Sequence, residues 1–465
     1  MVFSSIPFLY YFLPCVLLVY FAVPRKLKNT VLLITSLIFY AWGEPKFVLV
    51  MLLTILQGYL FGILIEKSGG RRAKVYLAVS AAVSLGLLGY CKYADFFIEN
   101  INAVTGLSVP LLKVTLPIGI SFYTFQILSY IVDVYRGSVP AQRNFINLAA
   151  YVAMFPQLIA GPIVRYTDIS AQLNNREHSI EKCALGIRRF ILGLGKKVLI
   201  ANTLGELCGI FKESDDKSVM FFWLYASACA LQIYFDFSGY SDMAIGLGKI
   251  FGFDFLENFN YPYISKSITE FWRRWHMSLG SWFRDYVYIP LGGNRVKRSR
   301  WLCNLMIVWF LTGFWHGAEW NFIAWGLFFG ILLILEKLVL TKALEKAGIL
   351  RHIYVVSAVL FSFVLFDAGS LSEAWFYISS MFGAGSFPVV SAESLYYLKS
   401  FCVILVMAVI GATPLVSGGI KKLREREVFA KVLNFMEPIV LMLLMLVITG
   451  YIVDGSFNPF LYFRF

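Results

Sequence analysis

The sequence predicts an all-α, polytopic membrane protein, and three observations support that fold class. Of the 465 residues, 59% are hydrophobic and the mean hydropathy is +0.70, whereas a soluble domain is usually about 45–50% apolar. Apolar segments long enough to cross a bilayer recur along the chain, and basic residues gather in the loops between them. At about 20 residues a span, we count roughly eleven to thirteen transmembrane helices, with amphipathic interfacial helices beside them. We treat residues 1–465 as one membrane domain, with a core region at about 116–330.

The first spans are separated by basic loops, which set their orientation. Residues 6–23 are apolar but lack the basic start and small-residue cleavage site of a signal peptide, so they form a retained first span. Two more spans fill residues 31–64, and basic loops lie at 25–28 and 67–74. Because cytoplasmic loops collect lysine and arginine, both loops are placed in the cytoplasm and the N-terminus outside.

The next part of the chain alternates spans with interrupted segments. Residues 75–92 cross outward, 93–115 lie at the outer interface, and 116–135 return. Residues 145–164 end in FPQLIAGPIVR, whose two prolines and glycine predict a broken helix; membranes tolerate such a break only where protein or water satisfies the freed backbone. The polar residues 166–182 predict a loop.

A polar interruption is also predicted near the middle of the chain. Residues 184–211 form a short or interfacial span, and residues 219–235 cross the membrane and continue into FDFSGYSD. This polar, glycine-containing segment indicates irregular backbone that lines a cavity. Asp236 and Asp242 either cap helices or face a substrate, and the sequence leaves both interpretations open.

The C-terminal third adds further spans, one surface helix and an aromatic tail. Basic residues at 421–426 mark a last cytoplasmic loop, after which residues 432–453 cross outward. The tail at 454–465 therefore ends outside. The other predicted elements are spans at 319–340, 352–368 and 394–412 and a surface helix at 372–383.

Residues 267–321 are the stretch most indicative of a functional site. They hold two of the four histidines and the densest tryptophan cluster. Ser267 and Glu270 fit a capping box, which predicts the start of a helix. His276 lies at the border of the apolar face of that helix, and a second apolar helix ends at His316. An ionisable side chain at membrane depth is a candidate functional residue. The apolar face consists of residues three and four positions apart, namely Ile268, Phe271, Trp272, Trp275, Leu279, Trp282, Phe283 and Tyr286.

Charge and cysteine content narrow the possible functions. Positive-inside loops explain most of the net charge of +13, while an anionic substrate is the other explanation for a local basic cluster. The seven cysteines are scattered without a C-x-x-C pair, so neither a metal site nor a disulfide framework is expected. No P-loop is present, and the glycines between 246 and 252 favour close helix packing. The basic cluster consists of Arg295, Lys297, Arg298 and Arg300.

Two histidines in a membrane-embedded helical core permit general-base catalysis. A neutral imidazole can take the proton of a hydroxyl as that hydroxyl attacks an acyl carbonyl, and a second polar group can orient the base or the substrate. In the structural alternative, each ring bonds a backbone carbonyl or lies among lipid headgroups. The residues alone therefore indicate a membrane-embedded acid–base site and leave the structural alternative open.

Several motifs are similar to those of the membrane-bound O-acyltransferase family, in the branch of bacterial alginate O-acetyltransferase membrane subunits. They are FWRRWHMSLGSWFRDYVYIPLGG, LTGFWHGAEWNFIAWG, LPIGISFYTFQILSYIVDVYRG, FPQLIAGPIVR and FDFSGYSDMAIGLG, which together extend over most of the chain. In the family, the invariant histidine falls in the segment that matches FWHG, which implies His316. A second functional position falls in the segment that matches WHMSL, which implies His276.

The resemblance also implies an architecture, a donor and partners. A ring of helices would enclose a tunnel or funnel, into which acetyl-CoA, a substrate rather than a bound cofactor, enters from the bacterial cytoplasm. The acceptor, a surface polysaccharide, would be served on the opposite side through an extracytoplasmic SGNH-hydrolase-like acetyltransferase. Membrane lipid is the other expected partner, and no nucleic acid is expected. The cluster from Arg295 to Arg300 attracts the phosphates of the donor or anchors the Trp301 span.

The tail NPFLYFRF is similar to the aromatic C-terminal motif of this branch. By that resemblance Tyr462 is an acyl relay, whose hydroxyl takes the acetyl group with His316 as base. The alternative for these terminal aromatic residues is an anchor at the membrane interface.

Two rival functions stay open at this level. A related enzyme would transfer another acyl group, such as D-alanine to teichoic acid, although that system more often supplies the tail motif on a separate peptide. A transporter or flippase of a lipid-linked intermediate would need no catalytic histidine.

Overall fold

The computed structural model describes residues 2–159 and 161–455, and every regular element in those ranges is helical. The predicted all-α class is therefore confirmed. The first twelve α-helices, α1 to α12, are Leu13–Ala22, Lys28–Gly43, Val48–Lys67, Gly70–Leu88, Ala94–Thr105, Ile120–Tyr135, Phe145–Ala153, Phe155–Leu158, Tyr166–Asn174, Ile180–Gly195, Asn202–Glu213 and Val219–Ile250. The next eleven, α13 to α23, are Ile268–Arg274, Met277–Phe283, Arg298–His316, Trp320–Leu335, Thr341–Lys346, Leu350–Asp367, Leu371–Ser380, Ala392–Ser400, Cys402–Gly411, Leu415–Arg424 and Glu427–Asp454.

Six helical segments of the described chain are long and apolar enough to cross a membrane. The pair α20 and α21, bent by 56°, makes a seventh if it crosses as one span. This number is smaller than the predicted eleven to thirteen because several of the predicted spans are short or interrupted helices. The six segments are Pro45–Lys67, Gly70–Thr105, Val219–Ile250, Trp320–Lys346, Leu350–Asp367 and Glu427–Asp454.

The helices form two compact units. Unit 1 consists of the described residues of Met1–Phe190 and Ser241–Leu256, and unit 2 of those of Ile191–Tyr240 and Glu257–Phe465. Both histidines of the central stretch lie in unit 2. The single-domain organisation remains a prediction from the sequence.

Unit 1 is built around close packing of α3 against α6. A Cβ atom on Gly58 would lie 2.8 Å from the Cδ1 atom of Ile127, and one on Gly62 would lie 2.7 Å from the hydroxyl of Tyr130. Two glycines one turn apart therefore make room for large side chains of the neighbouring helix, as small residues commonly do in membrane helices.

The predicted break within residues 145–164 is confirmed. Helix α7 ends at Ala153, Met154 leaves the helical conformation, and α8 begins at Phe155. The amide of Phe155, which the break frees, donates a hydrogen bond of 3.0 Å to the hydroxyl of Ser36 on α2. A buried protein group thus satisfies the freed backbone, as the membrane environment requires.

The prediction of a loop over residues 166–182 is wrong for its first half and its end, since α9 and the start of α10 occupy them. Helix α9 begins where the carboxylate of Asp168 accepts a hydrogen bond of 2.9 Å from the amide of Arg165. Its buried face consists of Tyr166, Ile169 and Leu173. Their spacing of three and four residues is a helical signal that the polar composition concealed.

The prediction of irregular backbone over FDFSGYSD is also wrong, because the segment lies inside the continuous helix α12. Asp236 and Asp242 therefore do not cap helices. Asp236 forms an ion pair of 2.7 Å with Lys197 within unit 2, and Asp242 forms one of 2.8 Å with Arg189 within unit 1. Pairing with cations of a neighbouring helix lets both carboxylates stay inside an apolar helix.

Glycines of α12 lie against the backbone of α10, which confirms the predicted close packing at Gly246. A Cβ atom on Gly246 would lie 2.6 Å from the carbonyl oxygen of Gly186, and one on Gly239 would lie 2.7 Å from that of Gly193. The glycines of the segment therefore allow close contact between two helices rather than a turn.

Unit 2 positions the central stretch through close contact between α15 and α16. A Cβ atom on Gly313 would lie 2.2 Å from the carbonyl oxygen of Phe322, and one on Gly326 would lie 2.2 Å from that of Trp309. The two backbones touch at these glycines, so neither helix can shift along the other without a clash. This contact fixes the end of α15, where His316 lies.

Candidate active site

The helix predicted across residues 267–286 is interrupted at His276, so that prediction is wrong. Helix α13 ends at Arg274, α14 begins at Met277, and His276 between them has a left-handed backbone with φ 43° and ψ 52°. Such a conformation costs a non-glycine residue about 1–2 kcal/mol. The main chain of a neighbouring loop compensates, because the amide of Met277 donates to the carbonyl of Asn258 at 3.0 Å.

The start of α13 is capped by Ser267 as predicted, and the carboxylate of Glu336 also binds amides of its first turn. The hydroxyl of Ser267 accepts a hydrogen bond of 3.0 Å from the amide of Glu270. The carboxylate of Glu270 bonds the amide of Lys266 rather than that of Ser267, so the capping box is only half formed. The buried carboxylate of Glu336 accepts hydrogen bonds from the amides of Ile268 and Thr269, a favourable charge at a helix N-terminus.

His276 is held rigidly on several sides. Its side chain is 1% exposed, and its Nδ1 atom lies 3.1 Å from Oδ1 of Asn258. The ring of Phe237 meets the imidazole edge-on with centroids 4.6 Å apart. Burial lowers the pKa of His276 to about 3, so the imidazole is neutral at physiological pH.

His316 is the last residue of α15 and lies in an aromatic cage. Its side chain is 5% exposed, and the imidazole centroid lies 4.9 Å from that of Trp315, 5.0 Å from that of Trp325 and 5.3 Å from that of Phe366. The indole of Trp315 also lies 6.2 Å from the His276 ring. The structure therefore brings both predicted histidines against the same indole.

A cavity of about 580 Å³ lies beside α15 in unit 2. On α15 it is lined at Leu305, Val308, Trp309 and Thr312, and His316 follows one turn later on the same helix face. The sequence neighbour of His276, Met277, also lines it. The remaining lining residues are Thr269, Trp272, Arg273, Leu279, Gly280, Ser281, Phe283, Arg284, Tyr288, Leu333 and Lys337.

Two of the three exposed cations that line this cavity, Arg273 and Lys337, lie at the end opposite to His316. The ammonium of Lys337 lies 5.3 Å from the ring centroid of Trp301, in the first turn of α15. Arg273 and Lys337 have no ion pair within the described residues, whereas Arg284 pairs with Asp285 at 2.7 Å. The cavity thus combines a cationic mouth with an apolar interior, which suits an anionic ligand that carries a long, weakly polar arm.

Sequence reasoning did not identify these two cations as site residues. Arg273 lies off the apolar face of the predicted helix, and Lys337 lies in an apolar segment. A lysine within an apolar run is itself a signal of function.

The predicted basic cluster lies elsewhere. Its four side chains are exposed around the start of α15, and none lines the cavity. Cations at a helix N-terminus oppose the helix dipole, so helix stability does not explain them. The cluster consists of Arg295, Lys297, Arg298 and Arg300. Tyr462, the predicted relay, lies outside the described residues.

Several apolar helices long enough to span a bilayer indicate a multi-pass integral membrane protein. The two buried imidazoles that share Trp315 are its candidate acid–base residues. The chain belongs to the membrane-bound O-acyltransferase (MBOAT) family, whose family model matches residues 139–372. It is therefore a membrane O-acyltransferase. This membership favours an enzyme over the transporter that the sequence alone left open.

Three similar proteins carry acyltransferase names. The probable alginate O-acetylase AlgI of Azotobacter vinelandii is 46% identical over 83% of this chain and 79% of its own length. The peptidoglycan O-acetyltransferase of Helicobacter pylori is 34% identical over 82% of this chain and 80% of its own length. The teichoic acid D-alanyltransferase of Streptococcus thermophilus is 28% identical over 56% of this chain and 70% of its own length.

Proposed function

We propose that this O-acyltransferase takes an acetyl group from cytoplasmic acetyl-CoA and passes it across the bacterial plasma membrane for O-acetylation of an extracytoplasmic polysaccharide, alginate or a similar polymer. One observation carries the proposal, namely that the cavity beside α15 begins at Arg273 and Lys337 and ends one turn before His316. Anionic CoA phosphates suit the cationic mouth, and the thioester end suits the apolar interior. The names of two similar proteins, an alginate O-acetylase and a peptidoglycan O-acetyltransferase, support an acetyl group and a polysaccharide acceptor.

The direction of transfer follows from the charge of the loops. By the positive-inside rule, basic residues at 25–28, 67–74, 295–300 and 421–426 predict that these loops are cytoplasmic and that both termini lie outside. The cavity mouth at Lys337 adjoins Trp301, directly after the third of these loops. Acetyl-CoA would therefore enter from the cytoplasm, and the histidines would lie deeper.

In the proposed reaction, a hydroxyl attacks the thioester carbonyl. Its oxygen forms the new ester bond as the carbon–sulfur bond breaks, and His316 takes the hydroxyl proton and returns it to the departing CoA thiolate. The aromatic cage of Trp315, Trp325 and Phe366 excludes water from this step, which limits hydrolysis of the thioester. His276 supplies a second polar group in the same enclosure.

The cavity cations give a prediction about donor binding. Replacing both Arg273 and Lys337 by glutamine removes the positive mouth, so KM for acetyl-CoA rises about three- to tenfold while kcat stays near the wild-type value, because both groups lie far from the reacting carbon. Initial rates of CoA release at varied acetyl-CoA measure both constants. The matched control is the pair Arg295→Gln and Arg298→Gln. If KM rose more in the control than in the Arg273 and Lys337 variant, the result would contradict this donor site and indicate the basic cluster instead.

The attacking hydroxyl is proposed to be that of Tyr462, which relays the acetyl group to an extracytoplasmic SGNH-hydrolase-like acetyltransferase. Tyr462→Phe keeps the ring and removes the nucleophile, so polysaccharide acetylation in cells falls to background. Mass spectrometry of the C-terminal peptide after incubation with labelled acetyl-CoA detects the acetyl-tyrosine directly. Tyr451→Phe, an exposed tyrosine of α23, is the control. Full acetylation in Tyr462→Phe would leave the tail as an interfacial anchor only.

A further inference from the structure

We propose that Asn258 is a positioning residue that fixes the tautomer of His276, so that Nε2 of this histidine is a hydrogen-bond acceptor for an N–H or O–H group of a reactant. The inference deepens the proposed function, since it gives His276 its part in the acyl-transfer site. It depends on three contacts of one carboxamide oxygen.

The identity of that oxygen follows from a main-chain donor. The amide of Ser278 lies 3.2 Å from the Asn258 side chain, and a backbone N–H can only donate. The atom it meets must therefore be the carboxamide oxygen rather than the nitrogen. With the orientation of the amide group fixed by this main-chain donor, the hydroxyl of Ser278 also donates to the oxygen at 2.8 Å.

The tautomer of His276 follows in turn. Its Nδ1 atom lies 3.1 Å from the same oxygen, so Nδ1 carries the hydrogen. A neutral imidazole has only one N–H, and Nε2 therefore carries a lone pair. Nε2 is buried and has no hydrogen-bond partner within residues 2–159 and 161–455.

A buried acceptor without a partner is unfavourable, and His276 also adopts a left-handed backbone. A rigid, strained residue with an unused acceptor is typical of a site that receives a ligand group. The donors that acyl transfer brings to such an atom are the attacking hydroxyl and the amides of the pantetheine arm. Met277, which lines the cavity, connects this position to the donor path.

Main-chain hydrogen bonds hold the backbone around His276 in addition to the bond that the Asn258 side chain accepts from the amide of Ser278. The main chain of Asn258 bonds Met277, and the amide of Asn260 donates to the carbonyl of Arg274 at 2.9 Å. The Nδ2 atom of Asn258 has no partner in the described part of the chain. Asn258→Asp therefore keeps every accepted hydrogen bond, whereas Asn258→Ala removes all three.

The tautomer can be read directly by nitrogen-15 NMR of histidine-labelled protein in detergent or bilayers. With only four histidines in the chain, the signals of position 276 are assigned by their loss in His276→Gln. We expect a protonated Nδ1 and an unprotonated Nε2 at pH 7 in the wild type and in Asn258→Asp, and a mixture of tautomers in Asn258→Ala. A protonated Nε2 in the wild type would overturn the inference, whatever the activity.

Kinetics test the role in the reaction. We expect kcat for CoA release to fall about 10- to 100-fold in Asn258→Ala and to stay within about fivefold of wild type in Asn258→Asp. Asn260→Ala is the matched control. The exposed side chain of Asn260 lies two residues after Asn258 and has no hydrogen bond within the described chain. An unchanged kcat in folded Asn258→Ala would refute the positioning role, whereas inactive wild-type protein would refute the proposed function instead.

Discussion

Replacing His316 by alanine lowers the release of CoA from acetyl-CoA by about 10²- to 10⁴-fold, the usual contribution of a general base. The side chain is 5% exposed and follows the cavity on the same face of α15. Of the other histidines, His178 bonds Tyr20 in unit 1, His352 lies near the carbonyl of Ser265, and His276 contacts the side chain of Asn258 through Nδ1.

The measurement uses purified protein in detergent, with released thiol as readout and the unfolding temperature as the test of integrity. His316→Gln accompanies the alanine variant, because glutamine keeps most of the volume and polarity without a titratable nitrogen. His178→Ala is the matched control and should retain full turnover. Wild-type rates in a folded His316→Ala protein would contradict the general-base role.

Replacing Asp236 by asparagine destabilises the protein by about 3–5 kcal/mol, the expected effect of breaking a buried ion pair. Asp236 and Lys197 are 3% and 4% exposed, and the carboxylate oxygen lies 2.7 Å from the ammonium. The variant leaves the ammonium charge buried beside a neutral amide. The pair also lies where Gly239 touches the backbone at Gly193, so a helix shift cannot easily bring water to the charge.

Thermal unfolding in detergent measures this effect as a fall in the unfolding temperature. The double variant Lys197→Met with Asp236→Leu should recover much of the loss, because an apolar pair of similar volume leaves no buried charge. Asp242→Asn breaks the more exposed pair with Arg189, whose side chains are 19% and 23% exposed, and should cost less. An unchanged unfolding temperature in Asp236→Asn would show that the ammonium has another compensating partner.

Local sequence signals predicted correctly those helix ends that depend on only a few neighbouring residues. The prolines of FPQLIAGPIVR predicted the break between α7 and α8, and Ser267 predicted the start of α13, because both effects act within a few residues. The same reasoning placed His316 at the end of an apolar helix. Resemblance then added the assignment to an acyltransferase family, which residue chemistry alone did not reach.

Two of the errors share one cause, which is that the local preference was overruled by contacts with residues distant in the sequence. The stripe through Trp275 and Leu279 predicted an unbroken helix, but the main chain of Asn258 holds His276 outside it. FDFSGYSD predicted irregular backbone, but the segment is helical and its Asp236 pairs with Lys197, which is distant in the sequence. Neither partner can be identified from the spacing of the segment itself.

The sequence by itself determined the class of the molecule, because apolar length, loop charge and helix ends are properties of short segments that act without distant partners. It also singled out His276 and His316 as the candidate site residues. Only the tertiary structure decided that both rings meet at Trp315, that the cavity begins at Arg273 and Lys337, and that Asn258 orients His276. These are relations between helices far apart in the chain, and packing of the folded helices alone brings their side chains within reach of one another.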